Sequence, residues 1–384
     1  MIKFAVRRNL IYPLQLLLWN FLRDTETKLL SHYFEIDNFA IYTPLMFTGE
    51  LLAGSILFFY QYYFLKGKSK EKKSNSMEIK YIYTKRFFSK RIDVKSYFLI
   101  ITSAFSDFSQ FVLTLQLHKY MTISGSLEQR LRGNFTLYNA FFYYFALKLA
   151  IFRHQSFSLI IISFCLLIII ITEFIFQEFN IFLTYGQFII ALLFMFFIQF
   201  GNALVESIEK YLFENYQTNP FFVLMNQGIF GLIFFGIYCI FYNPFKDIAE
   251  FQKTRSTSDF VILIFAFILF IILSGGKNSF RVITTKIYSP MTTTFMDYIL
   301  NPFYLIYYFT TDQDFKTDGE KNYGYFIINL IISVIITFCG GVYNEFVILF
   351  CYGLDRDTHS EVTKRSEYEN ELNNIRAVDE EDND

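Results

Sequence analysis

SYFLIITSAFSDFSQFVLTLQLH, residues 96–118, is an apolar stretch with an aspartate near its middle. Asp107 lies about 11 residues, or about 16 Å of helix, from the start of the stretch. An ionised group at that depth costs about 2.5–3.5 kcal/mol or more, so it persists where it is paired or faces water. Four polar side chains share its helical face: Ser103, Ser106, Gln110 and Thr114. We therefore expect Asp107 to face a polar cavity.

The rest of the chain also alternates long apolar stretches with charged loops. The 384 residues are 53% hydrophobic and include 52 Phe, yet 18% are charged. This composition predicts an all-α, polytopic membrane helix bundle. A span needs about 20 mostly apolar residues. Ten stretches qualify: 9–27, 39–65, 96–118, 121–147, 156–178, 184–213, 220–243, 258–284, 287–311 and 323–350. The first is weak, and an interfacial first helix would leave nine spans.

The charges in the loops predict how the spans are oriented. Residues 66–95 carry eleven Lys or Arg and three acidic residues, whereas the loops around 24–37 and 312–320 are rich in acidic residues. With ten spans, this pattern places both termini and the basic loop in the cytosol. Residues 355–384 are charged and poor in apolar residues, which predicts a cytosolic tail.

The polar face of the third span recurs in the eighth span at a constant offset of 171 residues. The matching side chains are Ser274, Lys277, Asn278, Arg281 and Thr285. Transporters often contain two inverted halves. We therefore predict two five-helix repeats, residues 1–182 and 183–354, and an odd number of spans in each half inverts one relative to the other.

The fourth span is the stretch of the chain least compatible with lipid. It contains Glu128, Gln129, Arg130 and Arg132. Glu128 and Arg132 are four residues apart, so we predict a structural charge pair between them. Arg130 projects from the opposite side of the helix, and its expected partner is Asp107 or Asp297.

Two hypotheses remain open for several of these charges. Asp107 is a proton or cation coupling site or a hydrogen-bond acceptor for a substrate, or it pairs with an arginine of the fourth span, and these roles are compatible. Lys277 and Arg281 either extend to the lipid headgroups or meet an anionic substrate. We read Glu50 as a buried contact between helices. The predicted substrate-binding and coupling residues are Asp107, Gln110, Gln129, Arg130, Arg132, Asn202, Glu206, Lys277, Arg281 and Asp297.

The sequence lacks the motifs that identify most enzymes. It has no G-x-S-x-G, G-x-x-x-x-G-K-[ST], H-E-x-x-H or C-x-x-C pattern. The four cysteines lie apart in apolar contexts, which is typical of small core residues. We therefore expect no enzymatic activity, no cofactor, no metal and no nucleic-acid partner.

Short motifs give the chain a resemblance to a known family. They are MFTGE at 46–50, SD at 106–107, QRLRG at 129–133, EKY at 209–211, NQGIFG at 226–231, MTTT at 291–294 with Asp297, and GVYNE at 341–345. Their order across residues 39–350 resembles that of the drug/metabolite transporter superfamily. The nearest resemblance is to the F-type branch of the solute-carrier 35 family, akin to nucleotide-sugar transporters and chloroquine-resistance-transporter-like proteins. The resemblance implies ten helices in two inverted repeats, a central cavity and alternating access.

These observations predict a secondary transporter, not driven by ATP, of a small polar or anionic metabolite. Its partners would be the lipid bilayer and an unidentified small-molecule substrate. The resemblance favours an endomembrane such as Golgi or lysosome, with mitochondrial and plasma membranes left open.

The alternative is a structural or assembly subunit that reuses the transporter fold. Thr294 and Asn301 stand about where the family usually has arginines, and this change motivates the alternative, together with the charged tail. It leaves open a homodimer or association with a larger membrane complex.

Overall fold

The computed structural model describes most of the long apolar stretches of the chain and fewer of the residues between them. The described residues are 2–4, 11–34, 39–65, 94–120, 127, 130–148, 150–176, 185–242, 257–310, 316–317, 320–350, 353–356, 358, 361 and 365. Most of the basic loop 66–95 and of the tail 355–384 therefore lies outside the described residues.

Eleven helices and four short strands form within the described residues. The helices are α1 (Ile11–Phe34), α2 (Phe39–Tyr60), α3 (Val94–Tyr120), α4 (Gly133–Phe145), α5 (Arg153–Phe176), α6 (Tyr185–Asn215), α7 (Pro220–Phe241), α8 (Thr257–Ile287), α9 (Pro290–Tyr298), α10 (Asn301–Thr310) and α11 (Tyr323–Tyr343). A π-helical turn, Gln61–Leu65, extends α2. The strands are β1 (Ile2–Phe4), β2 (Lys316–Thr317), β3 (Glu320–Lys321) and β4 (Val347–Leu349).

Seven of the described helices are long and apolar enough to cross a membrane, namely α2, α3, α5, α6, α7, α8 and α11. The protein is therefore an integral, multi-pass membrane protein with an all-α bundle. Helix α5 shows why it suits lipid: Ile160, Phe164, Leu167, Ile171 and Ile175 recur at helical spacing and are all exposed. Such a continuous apolar face is stable in a hydrocarbon environment.

Helix α1 is longer than the predicted span 9–27 and packs along α8. Trp19 lies against Gly276, where an added Cβ would be 2.5 Å from the indole ring. Further along α1, Leu30 packs in a cluster with Leu263 and Phe270 of α8. The two helices are thus antiparallel neighbours, and α1 lies against the bundle over much of its length.

The ninth predicted span, 287–311, is two helices rather than one. Helix α9 ends at Tyr298, and α10 begins at Asn301. Pro302 has no backbone N–H to donate back along the chain, and it disfavours helical geometry at the preceding residue. The break therefore follows from this proline. Because α9 and α10 are separate helices, their side chains can point in different directions.

The tenth predicted span, 323–350, extends too far. Helix α11 ends at Tyr343, and Glu345 has a positive φ of 58° that interrupts the helix. The chain then forms β4, which pairs antiparallel with β1, so that Lys3 lies opposite Ile348. The start of the chain and the end of α11 therefore lie at the same end of the bundle.

Close helix crossings hold the middle of the bundle together. Helix α2 packs on both α7 and α8, while α3 packs on α6 and α7. At the crossing of α2 with α8, a Cβ on Gly49 would lie 2.5 Å from the Ile271 carbonyl oxygen. A Cβ on Gly275 would lie 2.7 Å from the Gly49 carbonyl oxygen. The glycines therefore permit backbone contact between the two helices.

Candidate functional site

A cavity of about 750 Å³ lies among α1, α2, α3, α4, α6, α8, α9 and α10. Its volume is within the range of small-molecule sites, about 300–1,000 Å³. Five basic and five acidic side chains line it among the described residues: Arg23, Lys28, Arg132, Lys277, Arg281, Asp24, Glu50, Asp107, Glu206 and Asp297. The remaining lining includes amides, hydroxyls and aromatic rings. The interior is thus polar and balanced in charge, although apolar helices surround it.

Asp107 and Lys277 face the cavity without a direct partner among the described residues. Neither forms a hydrogen bond or ion pair with those residues, although Lys277 and Arg281 act electrostatically on Asp107. Asp107 lies on α3 and Lys277 on α8, at the two faces that the 171-residue offset relates. These two groups are the ones most directly offered to a ligand.

Arg281 lines the cavity and forms an ion pair between helices α8 and α6. Its Nη1 lies 2.9 Å from Oε1 of Glu209 on α6. The same oxygen accepts a hydrogen bond from Gln227 Nε2 at 2.9 Å, and Gln227 also donates to Ser103 Oγ at 2.7 Å. Because Arg281 points inward, the hypothesis that it extends to the headgroups was wrong. Lys277 also lines the cavity.

Two buried carboxylates of the cavity are held by neutral donors. Asn278 Nδ2 donates to Glu50 Oε1 at 2.6 Å, which confirms Glu50 as a buried contact between helices. Glu206 Oε2 accepts from Asn139 Nδ2 at 3.2 Å and from Thr294 Oγ1 at 3.3 Å. These bonds join α2 to α8 and α6 to α4 and α9, so they fix both carboxylates at the cavity wall.

Helix α1 contributes a row of polar contacts to α9 and α10. Asn20 Nδ2 donates to Asp297 Oδ1 at 2.6 Å. One turn further, Tyr304 OH donates to Asp24 Oδ2 at 3.1 Å, and Arg23 pairs with the other oxygen of Asp24 at 3.1 Å. The row shows that α1 is part of the cavity wall.

The structure places Arg130 outside the cavity, against the expectation that it would pair with Asp107 or Asp297. It forms a buried ion pair with Glu173 of α5, and Tyr325 of α11 donates to the same carboxylate. Arg130 Nη1 also donates to Tyr325 OH at 3.0 Å and to Asn329 Oδ1 at 3.1 Å. The carboxylate of Glu173 supplies the counter-charge that Arg130 needs, so its role here is to join α4, α5 and α11.

The other predicted site residues either line the cavity or lie outside the described residues. Gln110, Arg132, Asn202, Glu206 and Asp297 line the cavity with Asp107, Lys277 and Arg281. Gln129 and Glu128 lie outside the described residues, so the predicted Glu128–Arg132 pair stays a prediction.

Sequence reasoning missed several lining residues, among them Arg23, Asp24, Lys28 and Tyr307. The charges of α1 resembled the end of a weak span because the hydrophobic stretch before them is short. A helical extension of the span to Phe34 places them inside the bundle. Glu173 was missed because it lies near the end of a strongly apolar span, where a single carboxylate gives little signal.

Comparison with models of known protein families found no match, and comparison with curated proteins found none.

Proposed function

We propose that the protein is a secondary transporter of a small polar or anionic metabolite. The observation that carries the proposal is a cavity of about 750 Å³ lined by ten ionisable side chains in the middle of a membrane helix bundle. Charges at that depth are costly unless they are paired or meet water. A water-filled passage for a polar cargo accounts for their presence, and for the direction in which they point.

The proposed architecture is ten spans in two inverted halves, with α1–α5 in the first half and α6–α11 in the second. Helices α9 and α10 together make its ninth span. The most extensive helix pairings then have counterparts five spans away. The contact of α3 with α6 corresponds to that of α8 with α1, and the contact of α2 with α8 corresponds to that of α7 with α3. Likewise, the contact of α4 with α6 corresponds to that of α9 with α1, and the contact of α4 with α5 corresponds to that of α10 with α11. Contacts of α2 with α7 and of α5 with α11 correspond to themselves. This pattern supports a two-fold relation in the membrane plane.

We further propose that the chain belongs with the drug/metabolite transporters. The ordered motifs between 39 and 350 support this assignment. Several of them supply cavity residues, including Glu50, Asp107, Arg132, Thr294 and Asp297. The same assignment favours an endomembrane location and alternating exposure of the cavity.

In this mechanism Asp107 and Lys277 bind the cargo, because they face the cavity without a direct partner among the described residues. Arg132 also lines the cavity and serves as a further anion-binding group. The Arg281–Glu209 pair and its hydrogen bonds to Gln227 close one end of the passage. Opening that end requires the pair to separate, and cargo binding near Arg281 can supply part of the free energy.

The alternative of an assembly subunit predicts a cavity locked by its own charges. Two of the cavity charges do have partners within the chain: Arg281 pairs with Glu209, and Asp24 pairs with Arg23. The empty volume beside Asp107 and Lys277 favours a transporter over this alternative.

The test is uptake by the purified protein in proteoliposomes, with pools of labelled anionic and zwitterionic metabolites outside. Asp107→Asn removes the charge with little change in size, and we expect at least about a ten-fold loss of uptake, the equivalent of about 1.4 kcal/mol. Glu214→Gln is the matched control, because this carboxylate is 45% exposed at the end of α6. We expect its uptake to equal that of the unaltered protein.

The absence of uptake from any pool by protein that is folded and monodisperse would overturn the proposed transport function. Full uptake by Asp107→Asn would instead overturn the assignment of Asp107 to the binding site.

A further inference from the structure

Three tyrosines of α10 enclose the ammonium group of Lys28. The Nζ atom lies 4.3 Å from the ring centroid of Tyr304, 4.2 Å from that of Tyr307 and 5.1 Å from that of Tyr308. Spacings of three and four residues place the three rings on one helical face. We call Tyr304, Tyr307 and Tyr308 the tyrosine box. All three line the cavity, and so does Lys28.

The tyrosine box has the chemistry of an ammonium site. The face of an aromatic ring attracts a cation within about 6 Å of its centroid, and cages of such rings recognise quaternary ammonium groups. A carboxylate adds to the attraction, since Tyr304 OH donates to Asp24 Oδ2 at 3.1 Å. The box therefore combines three ring faces with one nearby negative charge.

Lys28 is a replaceable occupant of this site. Its ammonium is a compact, strongly hydrated group on a flexible stem, so it gains less from aromatic faces than an alkylated cation does. Arg132 repels it across the cavity, while Asp24 attracts it. Tyr307 is 41% exposed and, like Lys28, lines the cavity, so the box does not enclose the ammonium group on every side.

We propose that the tyrosine box is a cation subsite of the cavity, filled by Lys28 in this structure, and that it accepts the ammonium group of a cargo when Lys28 withdraws. The role in cargo selection rests on the proposed transport function, whereas binding of a cation to the box does not. The cargo class that fits both the box and the bases Arg132 and Lys277 is a small zwitterion with an alkylated amine.

The experiment measures binding of choline to the purified full-length protein by titration calorimetry. Removing the tethered competitor in Lys28→Ala should tighten choline binding by about ten-fold. Lys28→Gln, which is closer in size, should give the same direction and guards against a folding defect in the first variant. Adding Tyr307→Leu to Lys28→Ala should abolish the gain, and this ring is exposed enough to be replaced without disturbing the core.

A neutral analogue separates charge from apolar contact. 3,3-Dimethylbutanol has the shape of choline without its charge, and we expect it to bind neither the unaltered protein nor the Lys28 variants. Equal choline affinity in the unaltered protein and both Lys28 variants would overturn the inference. So would a gain in choline affinity that persists when Tyr307→Leu is added to Lys28→Ala, or equal affinity for the neutral analogue.

The binding and transport experiments fail separately. Choline binding that follows this pattern in a protein that transports nothing would support the subsite and count against the transporter. Transport without choline binding to any variant would do the reverse.

Discussion

Arg130 and Asp107 are both ionisable side chains inside the helix bundle, and their surroundings differ. Arg130 is 4% exposed and is enclosed by Glu173, Tyr325 and Asn329. Asp107 faces a cavity without a direct partner among the described residues. The first arrangement satisfies a buried charge within the protein, whereas the second leaves a charge available to water or to a ligand. Only the second is a candidate for binding.

The buried pair gives a stability prediction at the residue scale. Glu173→Gln keeps the size of the side chain but leaves the Arg130 guanidinium without its counter-ion. Breaking a buried pair from one side costs about 3–5 kcal/mol, so we expect a large drop in the thermal unfolding midpoint in detergent. Replacing both partners in Arg130→Gln/Glu173→Gln should recover most of the loss.

The matched control is Glu214→Gln, because the ion pair of Glu214 with Lys210 is partly exposed. Exposed pairs contribute about 0–1 kcal/mol, so this variant should unfold close to the unaltered protein. A Glu173→Gln protein that unfolds at the same temperature as the control would contradict the role given to the pair.

At the same scale, helical spacing alone predicted the direction of several cavity side chains. Gln110, Lys277 and Arg281 lie on the faces that the 3.6-residue period assigns to Asp107 and its counterpart. The partner of Arg130 was beyond reach, because spacing gives a direction along one helix and not the neighbour found there. Glu173 is 43 residues away in sequence, and only the packing of α4 on α5 brings it close.

At the scale of elements, small residues decide where helices touch. Gly49 and Gly275 form the crossing of α2 with α8, and Gly54 and Gly228 form the crossing of α2 with α7. In a membrane, apolar side chains gain little from leaving lipid, so close backbone approach supplies much of the association free energy. Helix α2 therefore holds α7 and α8 in place, and α8 lines the cavity.

Gly275→Ala tests that contact. The new methyl group would lie 2.7 Å from the Gly49 carbonyl oxygen, so the helices must separate. Overpacking of this kind costs about 1–3 kcal/mol, and we expect a lower thermal unfolding midpoint. Gly236→Ala on α7 is the control, because nothing lies within 4 Å of its added Cβ. It should unfold at the same temperature or slightly higher, and equal losses in both variants would contradict the crossing.

Apolar length and turn residues predicted the long helices better than the broken ones. Helix α7 was expected over 220–243 and is found at Pro220–Phe241, because Pro220 and Asn219 mark its start. The break between α9 and α10 was missed although Pro302 signals it, because the surrounding apolar stretch resembles one continuous span. The end of α11 depends on Glu345, whose positive φ has no signature in composition.

At the scale of the whole molecule, the central claim is that the ionised side chains meet water rather than lipid. The bundle presents apolar faces such as that of α5 outward and gathers its charges around one cavity. The proposed two-fold relation between halves gives that cavity two equivalent walls, and a carrier needs such a device to open on either side.

Thiol accessibility in proteoliposomes tests this claim most directly. In a background whose four native cysteines are replaced by alanine, Asn202→Cys places a thiol in the cavity and Phe164→Cys places one on the outer face of α5. Only a hydrated thiol ionises and reacts with a charged methanethiosulfonate reagent. We predict rapid modification at 202 and none at 164. No modification at 202, or faster modification at 164, would contradict a water-filled cavity.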